Sequence, residues 1–145
     1  LLQQLVGADD QIHGAGAELM QGGLLLGGGP EPAEHGDVHG EATSEKLFLG
    51  RYFDGRLSVV FGTHTHVATA DCQILPGGTG YITDLGMCGS HNGILGVKTQ
   101  SIIHKFTVKT PVLFEPASGN VKLNGALFEL DEKTGKCIGA HRVEK

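Results

Sequence analysis

The chain lacks tryptophan, and its three cysteines, Cys72, Cys88 and Cys137, form no Cys-x-x-Cys pair. An odd number of widely spaced thiols argues against a disulfide framework and against a cysteine-rich zinc ribbon, and favours reduced thiols in the cytoplasm. Long apolar runs are missing too. Leu24-Leu25-Leu26 is the longest run of large apolar residues near the start, far short of the ~20 residues a membrane span needs. No basic stretch precedes it, so it does not read as a signal peptide. Positive charge is absent from residues 1–36, which hold Asp9, Asp10, Glu18, Glu31 and Glu34 but no Lys or Arg. Over residues 37–145 acids and bases balance at 11 each, so no basic patch for nucleic acid emerges. A small phosphorylated substrate stays open, because metal ions rather than lysines can hold its phosphate.

What is present divides at about residue 36. The 145 residues suit one domain, and the 24 glycines offset a modest apolar fraction. Residues 1–36 carry Gly22-Gly23 and Gly27-Gly28-Gly29-Pro30 and no aromatic. Such glycine runs lose backbone entropy and stop helices from extending. Short amphipathic turns near Leu1–Val6 and Ala15–Met20, in a weakly ordered or loosely docked segment, are expected. The chain begins with Leu, which suggests a fragment or processed product.

From Asp37 the pattern is regular. Thr43 or Ser44 reads as the N-cap of a helix ending near Phe53, where Asp54-Gly55 turns the chain. Leu57–Phe61 has the length and composition of a buried strand. Cys72–Leu75 and Gly80–Thr83 read as short strands around Pro76-Gly77-Gly78. Asp84–Ile94 reads as a surface loop, Lys98–Phe106 as a helix and Val112–Glu115 as a strand. Val121–Leu130 reads as a strand with a bulge at Gly125, and Lys136–Val143 as the last strand.

The candidate chemistry lies in Gly62-Thr63-His64-Thr65-His66, read with His39 upstream. A strand running into His-x-His delivers imidazoles at its carboxyl edge, where open α/β sheets place their sites. If the backbone stays extended, His64 and His66 point to the same side. Neutral imidazole suits zinc, manganese or iron. The bland alternative is three hydrogen-bonded histidines near a strand end. Glu41 and Glu45 read first as helix-start carboxylates. Asp71 and Asp84 read as turn or cap residues, with support of the His-x-His edge as the functional alternative. Cys72 and Cys88 are too irregularly spaced for a convincing zinc site. His91 lies in a glycine-rich loop that could border a substrate.

Several motifs occur together: Asp37-Val38-His39-Gly40-Glu41, Asp54-Gly55-Arg56, Gly62-Thr63-His64-Thr65-His66-Val67, and Ile74-Leu75-Pro76-Gly77-Gly78-Thr79-Gly80-Tyr81-Ile82-Thr83-Asp84. From Asp37 onward the chain resembles the YmdB-like family of calcineurin-type bacterial metallophosphoesterases. That resemblance implies an α/β fold, the C-terminal half of a metallophosphoesterase β-sandwich flanked by helices. It implies phosphodiester hydrolysis, with 2′,3′-cyclic nucleotides as substrates, through a hydroxide bridging two divalent ions (Fe or Mn, with Zn an option). It also implies that His39 and His64 serve one ion and His66 the other.

The resemblance has a gap. The family's N-terminal half, with its Asp, Glu-Asn and Asn-His motifs, has no counterpart in residues 1–36. Where the family has a buried strand just before His39, a Gly/Pro/Glu stretch stands. A truncation or a shifted reading frame explains both. Two other readings compete: a non-catalytic, truncated fragment that associates as a homo-oligomer through an exposed strand edge, and a mononuclear zinc protein using all three histidines plus water.

Overall fold

A computed structural model describes residues 2–7, 18–20 and 35–145; for the first two stretches only the strands are described. The expected loose segment 1–36 therefore lies largely outside the described residues. Its described parts are strands, not helical turns: β1 is Leu2–Gly7 and β2 is Glu18–Met20. The stretch before His39 is a strand as well, β3, His35–His39. Only Val38 supplies a large apolar side chain there, so the sequence signal was weak. Pairing with a strongly apolar neighbour decides the outcome.

That neighbour is β4, Val59–Thr63, buried at every position. Burial on both faces is the signature of a central parallel strand. β3 runs parallel to it, with His39 opposite Thr63. β6, Gly80–Ile82, lies parallel on its other side. β5, Gln73–Ile74, folds back antiparallel on β6 through the Pro76-Gly77-Gly78 connection. Adding β2, the sheet order is β2-β3-β4-β6-β5.

A second sheet has the order β1-β9-β10, with β9 at Asn124–Leu130 and β10 at Cys137–Glu144. The two sheets share a core. Val59, Phe61, Ile82 and Leu85 from one side meet Ala126, Phe128, Leu130 and Cys137 from the other. Gly80 is needed at this seam, since a Cβ there would sit 2.5 Å from the Phe128 ring and 2.9 Å from the Cys137 sulfur. On the opposite face of the larger sheet, Val38, Val60, Leu75 and Tyr81 pack against Leu49, Phe53 and Leu57. Leu49 belongs to helix α1, Thr43–Tyr52, which presses so closely that a Cβ on Gly50 would meet the Tyr81 ring at 2.4 Å. The architecture is thus a sandwich with a helix outside it, as expected for the fold class.

Local expectations fare unevenly. Helix α1 begins after Ala42, with no side-chain cap hydrogen bond, so neither Thr43 nor Ser44 caps it. The second helix, α2, Thr99–Val108, forms but has no buried residue. Val112–Glu115 is irregular rather than a strand. A two-stranded ribbon joins Gly89–Ser90 (β7) to Val121–Lys122 (β8), and β8 is broken from β9 at Leu123. The bulge lies in β10 between Cys137 and Gly139; Gly125 pairs regularly. The expected surface loop after Asp84 is largely interior: Asp84, Leu85 and Met87 are buried. Its polar residues misled the reading because their partners come from distant parts of the chain.

Candidate metal centre at the carboxyl edge of the sheet

β3, β4 and β6 are parallel, so their carboxyl ends share one edge. His39 ends β3, His64 follows β4, and Thr83-Asp84 follows β6. Neighbouring strands lie ~4.8 Å apart, which brings His39 and His64 within reach despite 25 positions between them.

His39 Nε2 and His64 Nδ1 are 3.0 Å apart, and the rings meet edge to face. Each ring has a carboxylate behind it. Thr63 Oγ1 donates to Asp37 Oδ1 at 3.1 Å and lies 3.0 Å from His39 Nδ1. A hydroxyl that has spent its proton on a carboxylate must accept, so Nδ1 of His39 carries its proton and Nε2 presents its lone pair. Behind His64, Glu41 Oε2 stands 3.2 Å from Nε2. That contact favours a proton on Nε2 and leaves Nδ1 to face His39. Such outer carboxylates are how metal-binding histidines are oriented. Burial pushes the Asp37 carboxyl pKa above its ordinary value, and the Thr63 hydroxyl only partly offsets this.

The His-x-His segment does not continue the strand. His64 has φ 101° and His66 φ 66°, both in the left-handed region. The extended geometry expected from sequence is therefore wrong, and the rings are aimed by a turn. Non-glycine residues adopt such φ values at a cost, and persist there when their surroundings over-determine them. The determinant here is Asp84. Its Oδ2 accepts from the Thr65 amide at 3.0 Å and the Thr65 hydroxyl at 2.7 Å, and its Oδ1 from the Gly86 amide at 2.9 Å. Thr65 sits between the two histidines, so Asp84 pins the turn at its centre. This is the supporting role weighed for Asp84 from sequence.

Lys46 was missed. It is 1% exposed and lies beneath the turn, donating to the Thr63 carbonyl at 2.6 Å and to Asp84 Oδ2 at 2.7 Å. Gly62 makes room for it, since a Cβ there would lie 2.8 Å from the Lys46 side chain and 1.8 Å from the Thr83 carbonyl. A lysine among the polar residues of a weakly amphipathic helix gives no sequence signal of burial. Asp71 is a structural brace: its carboxylate accepts from the Thr83 hydroxyl at 2.5 Å and the Thr83 amide at 3.2 Å.

His66 does not join His39 and His64 in one cluster. Among the described residues, no group of three or more His, Cys, Asp or Glu converges on a metal position. His66 instead lines a cleft of about 290 Å³ with Val67, Met87, His91, Asn124 and Arg142. His91 thus does border a cavity. All three cysteines are free thiols, and burial, followed by Asp71 and Cys137, pushes the Cys72 thiol up to about 11.

The described pair fits one metal ion in part. Two nitrogens at the ~2.0–2.1 Å bond length of imidazole complexes stand about 3.0 Å apart when they ligate one ion at right angles. That is the separation of His39 and His64.

A sandwich with an imidazole pair at the carboxyl edge of its parallel strands defines an α/β domain with a candidate site at that edge. A crystal structure titled as a novel phosphatase, from Mycoplasma pneumoniae, superposes with a TM-score of 0.72 at 39% identity, covering 75% of this chain and 39% of that one. A hypothetical protein from Thermus thermophilus gives 0.70 at 38% identity, covering 75% and 42%. The chain belongs to the family described as YmdB-like protein, whose model matches residues 33–143. A Bacillus subtilis protein named 2′,3′-cyclic-nucleotide 2′-phosphodiesterase is 52% identical over 107 residues, 74% of this chain and 40% of that protein. A Mycoplasma pneumoniae protein named putative phosphatase/phosphodiesterase is 44% identical, with 74% and 38% covered. The chain spans about two fifths of the length of these relatives. No helix among the described residues is long and apolar enough to cross a membrane.

Proposed function

We propose that this chain is part of a metal-dependent phosphodiesterase acting on small phosphodiesters such as 2′,3′-cyclic nucleotides, with His39, His64 and His66 as its metal ligands. The observation that carries the reading is the meeting of His39 Nε2 and His64 Nδ1 at 3.0 Å, with Glu41 against the far side of the His64 ring and the Thr63 hydroxyl, itself donating to Asp37, against that of His39. When bound, two divalent ions (Fe or Mn, with Zn the alternative) would supply Lewis-acid stabilisation of the charge on the phosphoryl oxygens.

The chain's own residues do the rest of the work assigned here. Asp37 and Thr63 hold the His39 proton at Nδ1, and Glu41 holds the His64 proton at Nε2, so both lone pairs face one point. Asp84 and Lys46 fix the turn that aims His64 and His66. His39 and His64 would serve one ion and His66 the other, as its place outside the imidazole pair allows.

A second reading has an observation behind it too. Since no third ligand joins His39 and His64 among the described residues, the chain by itself would be a metal-weak, non-catalytic piece that relies on another segment for its carboxylates.

Metal content of the purified chain by elemental analysis, with hydrolysis of bis(p-nitrophenyl) phosphate and 2′,3′-cyclic AMP on the same sample, separates the readings. Two Fe or Mn per chain with turnover is the expected result for the phosphodiesterase. Little metal and no turnover would refute catalysis by this chain and establish the non-catalytic reading. One zinc with turnover would favour a mononuclear site.

A further inference from the structure

The cleft that begins at His66 has a composition the metal site does not explain. It is formed where the turn after β4 meets the far edge of the second sheet, and its volume of about 290 Å³ is at the small end for organic-ligand pockets, enough for one nucleoside and not for an oligonucleotide. One part of its wall is apolar: Val67, Met87 and Leu95. Its polar and charged lining residues are His66, His91, Lys122, Asn124, Arg142 and Glu144.

Asn124 is 2% exposed. Its Nδ2 donates to the Met87 carbonyl at 2.8 Å and lies 3.3 Å from His91 Nε2. A carbonyl can only accept, which fixes the amide's orientation. Asn124 Oδ1 is then the acceptor left over, and it is buried with no hydrogen-bond partner. Buried acceptors of this kind are uncommon and cost stability. Arg142, which also lines the cleft, donates to Glu144 through one of its nitrogens at 2.6 Å, and a guanidinium has five N–H donors in all.

We infer that this cleft is the nucleoside subsite: Val67, Met87 and Leu95 flank the faces of a base, while Asn124 and Arg142 read its hydrogen-bonding edge. The inference rests on the phosphodiesterase reading for its substrate class, because a phosphate held near His66 would leave the rest of a nucleotide at the cleft mouth. Apolar flanks with a few placed polar groups are what a planar heterocycle requires and what a bare phosphate does not. An N–H on a base that reaches Asn124 Oδ1 would supply the partner this buried acceptor lacks.

The test uses the whole isotopically labelled chain and three probes: adenosine, uridine and inorganic phosphate. Adenosine or uridine should move the Asn124 side-chain amide and the backbone signals of Val67 and Leu95, and phosphate alone should not. Asn124→Leu should weaken nucleoside binding at least about tenfold, since it removes the acceptor without opening space. Val67→Trp is the second variant; it narrows the cleft mouth from an exposed position and should weaken binding even if Asn124→Leu does not fold. Nucleoside shifts that map elsewhere, or an affinity that Val67→Trp leaves unchanged, would overturn the inference. Nucleosides have no phosphodiester, so their binding needs neither metal nor turnover. Nucleoside binding without any hydrolysis of bis(p-nitrophenyl) phosphate would sink the phosphodiesterase reading alone. Hydrolysis with no nucleoside binding would sink the subsite alone.

Discussion

Replacing Lys46 by methionine keeps the volume of the side chain and removes its charge. Both Lys46 and Asp84 are 1% exposed, with Nζ and Oδ2 2.7 Å apart. Removing one partner of a buried pair costs about 3–5 kcal/mol, because the other charge is left in a poorly solvating interior. Asp84 keeps three donors, from the Thr65 amide, the Thr65 hydroxyl and the Gly86 amide. That places the expected loss at the lower end, about 3 kcal/mol. Against a typical stability of ~5–15 kcal/mol this is a large fraction. With urea m-values of ~1–3 kcal/mol/M, the unfolding midpoint should fall by about 1–3 M. Adding Asp84→Asn to Lys46→Met removes the stranded charge and should recover at least ~1 kcal/mol of the loss. Urea titrations followed by circular dichroism measure all three proteins. A Lys46→Met loss under ~1 kcal/mol, or a double variant no more stable than the single one, would refute the claim that a desolvated ion pair holds the histidine turn.

Three further outcomes are expected. His64→Gly should be more stable than His64→Ala by about 1–2 kcal/mol, because both lose the ring and only alanine keeps the strained φ of 101°; equal melting curves would show that the turn is not strained. For Asp71, burial raises the carboxyl pKa, but hydrogen bonds from Thr69 and Thr83 outweigh it and the group ends below its ordinary value. Its stabilising effect should therefore be full above the unfolded pKa of ~3.9 and disappear as pH falls through the lower folded value. The stability gap between the wild type and Asp71→Asn should accordingly narrow from pH 6 toward pH 3, and a constant gap would refute the assignment. Finally, a Cys72 thiol pushed up to about 11 should react with a disulfide reagent at pH 8 on the order of a hundredfold more slowly than an ordinary cysteine. Mass mapping of the labelled cysteines over time reads this directly, and labelling of Cys72 at an ordinary rate would contradict it.

How much of this was legible in the sequence differs by element. β4 was visible because Leu57-Ser58-Val59-Val60-Phe61 is apolar almost without a break, which a strand buried on both faces demands. The helix over Thr99–Val108 was visible from its period alone, although it buries nothing. β3 was not legible, since its residues have little strand preference of their own and gain it only beside β4. Asp84–Met87 was read as surface for a related reason: a polar residue's burial depends on partners such as Lys46 and Thr65, which sequence order does not reveal.

The site divides the same way. The sequence by itself determined the family, the three candidate histidines and the strand that leads into two of them, because side-chain chemistry and short-range pattern are local properties. Tertiary structure alone decided that His39 and His64 meet while His66 faces a separate cleft, that the His-x-His turn is left-handed rather than extended, and that Lys46 and Asp84 hold it in place. Those outcomes depend on which strand ends become neighbours and which charges share a dry interior, and both are settled only when distant segments pack together.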